Sequence, residues 1–382
     1  METMQPALKN GRNVWDPINM PIGEFQGRLR VVREKMKALD IDMLLAYGHA
    51  FNEYGNPCYF SNYVIRLPRG VLVAIPRDGE ETLFFEGAAR GLPSAKMITW
   101  IEDVRPCPDI SKACTEYLKE KGIEKGTIGF AGLNRLMPHD QLKYLKDTLI
   151  QTRIIEADDL MQDLRRIKSN KEMDQIRRAS WIVKNTLQFI SETSFSSMNE
   201  RVVEAMLFKE ARLDGAEDIR VLFGKPHKTP WSLRPSEDAT FEPGRGVIIL
   251  LAVAYERYWS EGIRTYIAGE NVFTLPDLEG TEGIYRQLTE CMKPGESIAH
   301  CCREAMSKLP KEGRDLLEEY GMGQGIGLSM KEGPLLGRNA TGDFEEGVCF
   351  TLRLGVGEET VGSAMIGNTF YVTNAGIESL TI

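Results

Sequence analysis

The chain has 382 residues, of which 42% are hydrophobic and 27% charged, and its net charge is −8 at pH 7. A chain of this length exceeds one usual hydrophobic core and is predicted to form more than one globular domain. The acidic balance, without a dense Lys/Arg stripe, argues against a nucleic-acid partner. No apolar run reaches the length of a membrane helix and residues 1–26 have no signal-peptide core, so we expect no membrane partner and a cytoplasmic protein.

The first part of the chain has the pattern of an α/β domain. Helical periodicity at 24–39 is followed by short apolar strands, with helical stretches between several of them. These strands are predicted at 41–47, 70–76, 81–86, 127–132 and 153–156. A charge-dense segment then opens a long helical pattern from 158 to about 191. The boundary is therefore predicted near residue 160, giving domains 1–160 and 161–382.

The second part has two β-rich blocks separated by helices. After a helix at 198–213, the first block comprises strands at 246–253 and 257–268. The second comprises strands at 347–355 and 364–373, and helices at 280–292 and 297–319 lie between the blocks. The order of the elements after the first of these helices is therefore β-β-α-α-β-β.

The cysteines give a further indication. There are seven, an odd number, with no C-x-x-C pair, and the adjacent Cys301 and Cys302 cannot easily bridge each other. We expect reduced, structural thiols in a reducing compartment.

Four motifs in the second part occur in a recognisable order. They begin with the helix entry Asp163–Ser169, and continue with Tyr258–Thr265, Gly323–Leu328 followed by Glu332, and Val372–Glu378. Together they resemble the creatinase/prolidase/methionine-aminopeptidase family, also called peptidase M24. The resemblance implies an α/β N-terminal domain and an α+β pita-bread C-terminal domain, whose pseudo-duplicated halves enclose a central site. It also implies a homodimer.

The family's metal-ligand positions carry unusual residues here. The resembling enzymes hold two divalent metals with two Asp, one His and two Glu. Carried over in chain order, these ligands become Leu250, Glu261, Gln324, Arg353 and Gly367. Only Glu261 is a good ligand, and the Arg353 guanidinium would repel a nearby cation. We therefore expect no metal and no other cofactor.

Two interpretations of the altered site stay open. In the first, Arg353 and Lys331 bind a substrate carboxylate or stabilise developing negative charge, with Gln324 and Tyr258 lining the same pocket. Glu261 and the retained Glu332 are then candidates for acid/base catalysis. In the second, Arg353 pairs internally with Glu261 and fills the former metal site.

Further site candidates come from loops. His227 lies in the loop where the resembling enzymes have a characteristic His, and the metal-free creatinase is understood to use such a His for catalysis. Alignment on the following Arg-Pro-Ser places Ser232 at that position instead. Arg66 and Arg69 lie in a segment that, in creatinase-like dimers, reaches over the neighbouring subunit's site. Arg338 follows Glu332 and is a further candidate for binding an anionic group.

Three functions follow as hypotheses. The first is metal-independent cleavage of a C–N bond in a small, anionic, nitrogen-containing substrate or short peptide. The second is a catalytically inactive pita-bread binding protein. The third is an Xaa-Pro dipeptidase or aminopeptidase with an unconventional metal site. Fold resemblance alone does not decide among them.

Overall fold

The computed structural model describes residues 14–50, 53–65, 67–224, 233–269, 283, 285–286, 289–309, 314, 317, 321–358 and 362–382. The chain divides into two compact units, Met1–Arg165 and Arg166–Ile382. This division falls at the end of a helix, Asp158–Arg166, whereas the sequence placed it near residue 160. The helix stays with the first unit because Tyr59 donates to the Leu164 carbonyl and Arg165 donates to Asn56.

The first unit is an α/β domain, as predicted. Its helices are α1 (Ile22–Ala38), α2 (Gly55–Ser61), α3 (Leu92–Ile98), α4 (Ile110–Glu120), α5 (Leu133–Leu136), α6 (His139–Thr148) and α7 (Asp158–Arg166). Its strands are β1 (Met43–His49), β2 (Gly70–Pro76), β3 (Thr82–Glu86), β4 (Asp103–Cys107), β5 (Thr127–Ala131) and β6 (Arg153–Glu156). They form one sheet in the order β4-β3-β2-β1-β5-β6.

The direction of the strands gives this sheet a well-defined edge. Strands β1, β5 and β6 pair in parallel, as do β3 and β4, while β2 is antiparallel to both its neighbours. The carboxyl ends of all strands except β2 therefore lie at one edge. Apolar side chains on one face, including Leu45, Leu72 and Phe84, pack with Ile110 and Leu145 of the helices. This burial accounts for the near-continuous apolar runs of β1 and β2.

The second unit contains the helices α8 (Asn170–Ser191), α9 (Glu200–Leu213) and α10 (Ile298–Lys308). Its strands are β7 (Asp218–Gly224), β8 (Gly246–Tyr255), β9 (Tyr258–Ile267), β10 (Gly323–Gly325), β11 (Glu332–Leu336), β12 (Cys349–Glu358), β13 (Gly362–Thr373) and β14 (Gly376–Ser379). The sheet has the order β11-β10-β12-β13-β9-β8-β7, and β14 pairs with β13. Helix α8 begins at a capping box, in which Ser169 and Glu172 each accept from the other's backbone N–H.

Alternation along the strands separates the two faces of this sheet. In one half, Ile249, Leu251 and Val253 pack against helices α8 and α9. In the other half, Phe350 and Leu352 pack against α10. Residues between these positions face the opposite side, because successive side chains of a strand point to opposite faces. We call that side the site face, since it carries the five positions at which the sequence predicts the family's metal ligands, namely Leu250, Glu261, Gln324, Arg353 and Gly367.

The fold expectation is confirmed: an α/β N-terminal domain is followed by an α+β pita-bread domain. Of the described helices, none is long and apolar enough to cross a membrane. Of the predicted helix at 280–292, residues 280–282, 284 and 287–288 lie outside the described residues.

Candidate functional site

A buried ion pair lies at the centre of the site face. Arg353 of β12 donates from Nε to Glu261 Oε1 and from Nη2 to Glu261 Oε2, both at 2.7 Å. The Glu261 side chain is 2% exposed and that of Arg353 is 23% exposed. Burial lowers the pKa of Arg353, but the charge and hydrogen bonds of Glu261 outweigh it, so the pKa is raised overall. The guanidinium therefore stays charged.

Hydrogen bonds between strands fix the position of Glu261. Strands β9 and β13 share only one register pair, Gly367 with Ile263. Nearby, the Thr369 hydroxyl accepts from the Glu261 backbone N–H at 2.9 Å and donates to the Glu261 carbonyl at 2.9 Å. This side chain replaces the missing backbone pairing and anchors Glu261 opposite Arg353.

Two of the five positions are apolar and closely packed. Leu250 is buried in β8 and pairs with Ile263 of β9. Gly367 pairs with Arg353 of β12. A Cβ built on Gly367 would lie 2.9 Å from Ile263 Cδ1, so the Ile263 side chain occupies the space that a larger residue would need. The fully buried Ile263 therefore fills this part of the site.

Gln324 is held in a tight glycine-flanked strand. Its Nε2 donates to the Met330 carbonyl at 2.8 Å. A Cβ on Gly323 would lie 1.9 Å from the Thr351 carbonyl oxygen, and one on Gly325 would lie 2.1 Å from that of Gly333. These approaches require glycine and explain the alternating glycines of the motif.

Glu332 and Tyr258 have partners that the sequence did not indicate. Glu332 accepts from Lys168 Nζ at 3.0 Å and from the Ser329 backbone N–H at 3.0 Å. Both side chains of this ion pair are buried, Lys168 being 1% and Glu332 6% exposed. The Tyr258 hydroxyl donates to Glu172 Oε1 of α8 at 3.2 Å. The catalytic role of Glu332 and the binding role of Tyr258 stay predictions.

The remaining candidates are dispersed or outside the described residues. Lys331 and Arg338 are exposed. Arg69, in the first unit, donates to the Glu86 carbonyl at 3.3 Å. His227, Ser232 and Arg66 lie outside the described residues. Among the candidates in the described part of the chain, Glu261 and Arg353 are brought together by direct side-chain hydrogen bonds.

Sequence reasoning missed three contributors to the site: Ile263, Lys168 and Thr369. Lys168 lies in the helix-entry motif, so its sequence position was noted but its partner was not. Within the described ranges, no group of three or more His, Cys, Asp and Glu side chains is placed to hold a metal ion.

Comparison with known proteins agrees with this architecture. Residues 174–374 match metallopeptidase family M24, and residues 28–167 match the creatinase/prolidase N-terminal domain. An Xaa-Pro dipeptidase of Pyrococcus furiosus is 26% identical over 270 residues, which are 68% of this chain and 73% of that protein.

Solved structures have the same fold. The prolidase from Pyrococcus horikoshii superposes with a TM-score of 0.77 at 22% identity, covering 93% of this chain and 98% of that one. The X-Pro aminopeptidase from Thermotoga maritima gives a TM-score of 0.78 at 20% identity, covering 93% and 97%. The chain belongs to metallopeptidase family M24.

Proposed function

We propose that this chain binds a short, carboxylate-bearing peptide at the Arg353–Glu261 pair and cleaves a C–N bond in it without a dinuclear metal centre. The names of its relatives make Xaa-Pro dipeptides the first substrate class to test. One observation carries the proposal: Arg353 uses Nε and Nη2 for Glu261, and no hydrogen bond of Nη1 is found among the described residues. A guanidinium edge is thus oriented and available.

The residues at the five positions do not fit two divalent metals. Leu250 and Gly367 have no donor atom, and the Gln324 amide donates to the Met330 carbonyl. Both oxygens of Glu261 accept from Arg353. A cation at this centre would have to displace a guanidinium that cannot be deprotonated.

The Arg353 guanidinium is proposed to bind the peptide through the fixed direction of its Nη1 N–H groups more than through its net charge. Its charge is balanced by Glu261, so the pair is close to neutral as a whole. The Nη1 N–H groups are nevertheless held in a fixed plane, which suits recognition of a carboxylate or a carbonyl oxygen that gains negative charge. The exposed Lys331 and Arg338 add positive charge elsewhere in this unit and stay candidates for binding the peptide carboxylate.

Proton transfer is assigned to His227, which lies in the loop where the resembling enzymes have a characteristic His. Glu261 is less suited to that role, because its carboxylate is committed to Arg353 by two hydrogen bonds. An imidazole can accept and return a proton near neutral pH. Removing His227 should therefore abolish cleavage and leave binding intact.

A second candidate is a binding protein of the same fold without catalysis. The commitment of Glu261 to Arg353 favours it, since this carboxylate then has a structural role. In this case the same peptides bind at Arg353 and leave unchanged.

The test combines calorimetry with product analysis on metal-stripped protein. Ala-Pro, Gly-Pro and an N-alkyl amino acid are titrated, and products are followed by mass spectrometry with chelator or with Mn²⁺. The variants are Arg353→Met, His227→Ala and the control Arg245→Met, which removes an exposed arginine paired with Glu242.

Chelator-resistant cleavage that is lost in Arg353→Met and His227→Ala supports the proposal. Binding without cleavage selects the binding protein. Cleavage that appears only with Mn²⁺ overturns metal independence. Peptide binding that survives Arg353→Met overturns the proposed site.

A further inference from the structure

We propose that the first unit contains a separate small-molecule site, which takes a carboxylate with an aromatic or aliphatic body. The site is a cavity of about 770 Å³ at the carboxyl edge of the sheet. A volume in this range accommodates an organic ligand. Every residue that carries the proposal lies in Met1–Arg165, and none of them belongs to the Arg353–Glu261 pair.

The topology of the sheet creates the crevice. Strand β3 ends at Glu86 and its parallel neighbour β4 ends at Cys107, while the antiparallel β2 begins at Gly70. Gly70, Glu86 and Pro108 all line the cavity, so it opens where neighbouring strands end or begin. In open α/β sheets, ligands bind in crevices outside the carboxyl ends of the strands.

One wall of the cavity is aromatic and aliphatic. The rings of Tyr63 and Phe85 stack with centroids 6.2 Å apart and planes 23° apart. Val64, Ile65 and Ile98 continue the lining. Such a wall favours a ligand with an apolar body and excludes one that is charged throughout.

Two arginines supply the charge that selects an anion. Arg69 and Arg90 both line the cavity. The acid among the lining residues, Glu86, has its carboxylate engaged by the Gly70 backbone N–H at 2.8 Å and by Gln141 Nε2. The lining therefore carries two guanidinium groups and one carboxylate, and that carboxylate already accepts hydrogen bonds from the protein. A carboxylate is the matching group on the ligand.

Gly91 is a position at which a substitution can fill the cavity with little backbone strain. It lines the cavity and has helical backbone angles, φ −81° and ψ −13°, which any L-residue adopts. A Cβ there would lie 3.4 Å from Phe85 Cε2, an ordinary contact. Gly91→Leu therefore places a branched side chain on the aromatic wall. Gly23→Leu is the matched control, since a Cβ on Gly23 of α1 meets no atom within 4 Å.

The probe is 3-phenylpropionate, compared with its neutral amide and with 2-phenylethylamine. Binding to the full chain is measured by calorimetry and by saturation-transfer NMR. We expect saturable binding of the carboxylate, at least about tenfold weaker for the amide and for the Arg69→Met/Arg90→Met double variant. Gly91→Leu should abolish it, whereas Gly23→Leu and Arg353→Met should leave it unchanged.

Several results would overturn this site. Equal affinity for the amide would remove the role of the arginines. Unchanged affinity in Gly91→Leu would place the probe elsewhere, and loss in Arg353→Met would place it in the second unit. If Gly91→Leu altered the sedimentation coefficient of the protein, this face would be a contact between copies of the chain and not a ligand cavity.

Discussion

Removing Arg353 should destabilise the second unit strongly, because it leaves the Glu261 carboxylate buried without its cation. Glu261 is 2% exposed and loses both 2.7 Å hydrogen bonds in Arg353→Met. Breaking one side of a buried ion pair costs about 3–5 kcal/mol, and the partial exposure of Arg353 favours the lower end of that range. A loss of about 3 kcal/mol in a unit of this size lowers its Tm by roughly 6–12 °C.

A double-mutant cycle isolates this effect. Replacing both partners, in Arg353→Met/Glu261→Leu, removes the stranded charge and should recover most of the lost stability. Chemical denaturation and calorimetry of the two single variants, the double variant and the exposed control Arg245→Met provide the measurement.

The pH dependence of Arg353→Met gives a second criterion. Protonation neutralises the stranded carboxyl, so the Tm deficit relative to the wild type should shrink as the pH falls from about 8 to about 5. A deficit no larger than that of Arg245→Met would refute the ion-pair argument. So would a double variant as unstable as the sum of the single variants.

Three further predictions concern buried charges and thiols. Lys168→Met should lower the free energy of unfolding by about 3 kcal/mol, because Glu332 loses its buried cation. Denaturant titration measures this change. A loss of stability smaller than that of an exposed Lys→Met variant would contradict the prediction. All seven cysteines are free, and Cys291 alone among them is not buried. Ellman's reagent should therefore react quickly with about one thiol in the native protein and with all seven thiols after unfolding. Rapid reaction of several thiols in the native protein would contradict this burial. Burial lowers the pKa of His49, outweighing the opposite effect of Glu86, so its contribution to stability is present above about pH 6.5 and lost as the pH falls below it. His49→Gln should flatten the dependence of Tm on pH between about 7 and 5, and unchanged slopes would contradict this.

The fold followed from the sequence because its signals were local and repeated. Period-2 and period-3.6 patterns placed β2 at 70–76 and β6 at 153–156, which are the observed bounds. Motif order then gave the pita-bread domain. The sequence located the domain boundary less accurately, because tertiary contacts of Leu164 and Arg165 keep the end of α7 with the first unit.

The centre of the site was only partly predictable. The sequence predicted that Glu261 and Arg353 both lie at the site. Their pairing was one of the two interpretations that the sequence left open. The filling of the Gly367 position by Ile263 could not be read from the sequence, because it depends on the single register pair between β9 and β13. The Lys168–Glu332 pair spans 164 residues, a separation at which charge patterns carry no pairing information.

The residues at the five predicted ligand positions depend on one another. With Leu250 and Gly367 in place of acids, Glu261 would be a lone buried carboxylate, and a guanidinium at 353 neutralises it with two hydrogen bonds. Conversely, the partly buried Arg353 would lose its charged partner without that acid. Ile263 then occupies the volume beside Gly367, so a Glu restored at 367 would clash unless Ile263 were also made smaller. The site therefore has the Arg353–Glu261 pair as its electrostatic centre, and an acid placed at 250, 353 or 367 would leave either an unpaired charge or a steric conflict.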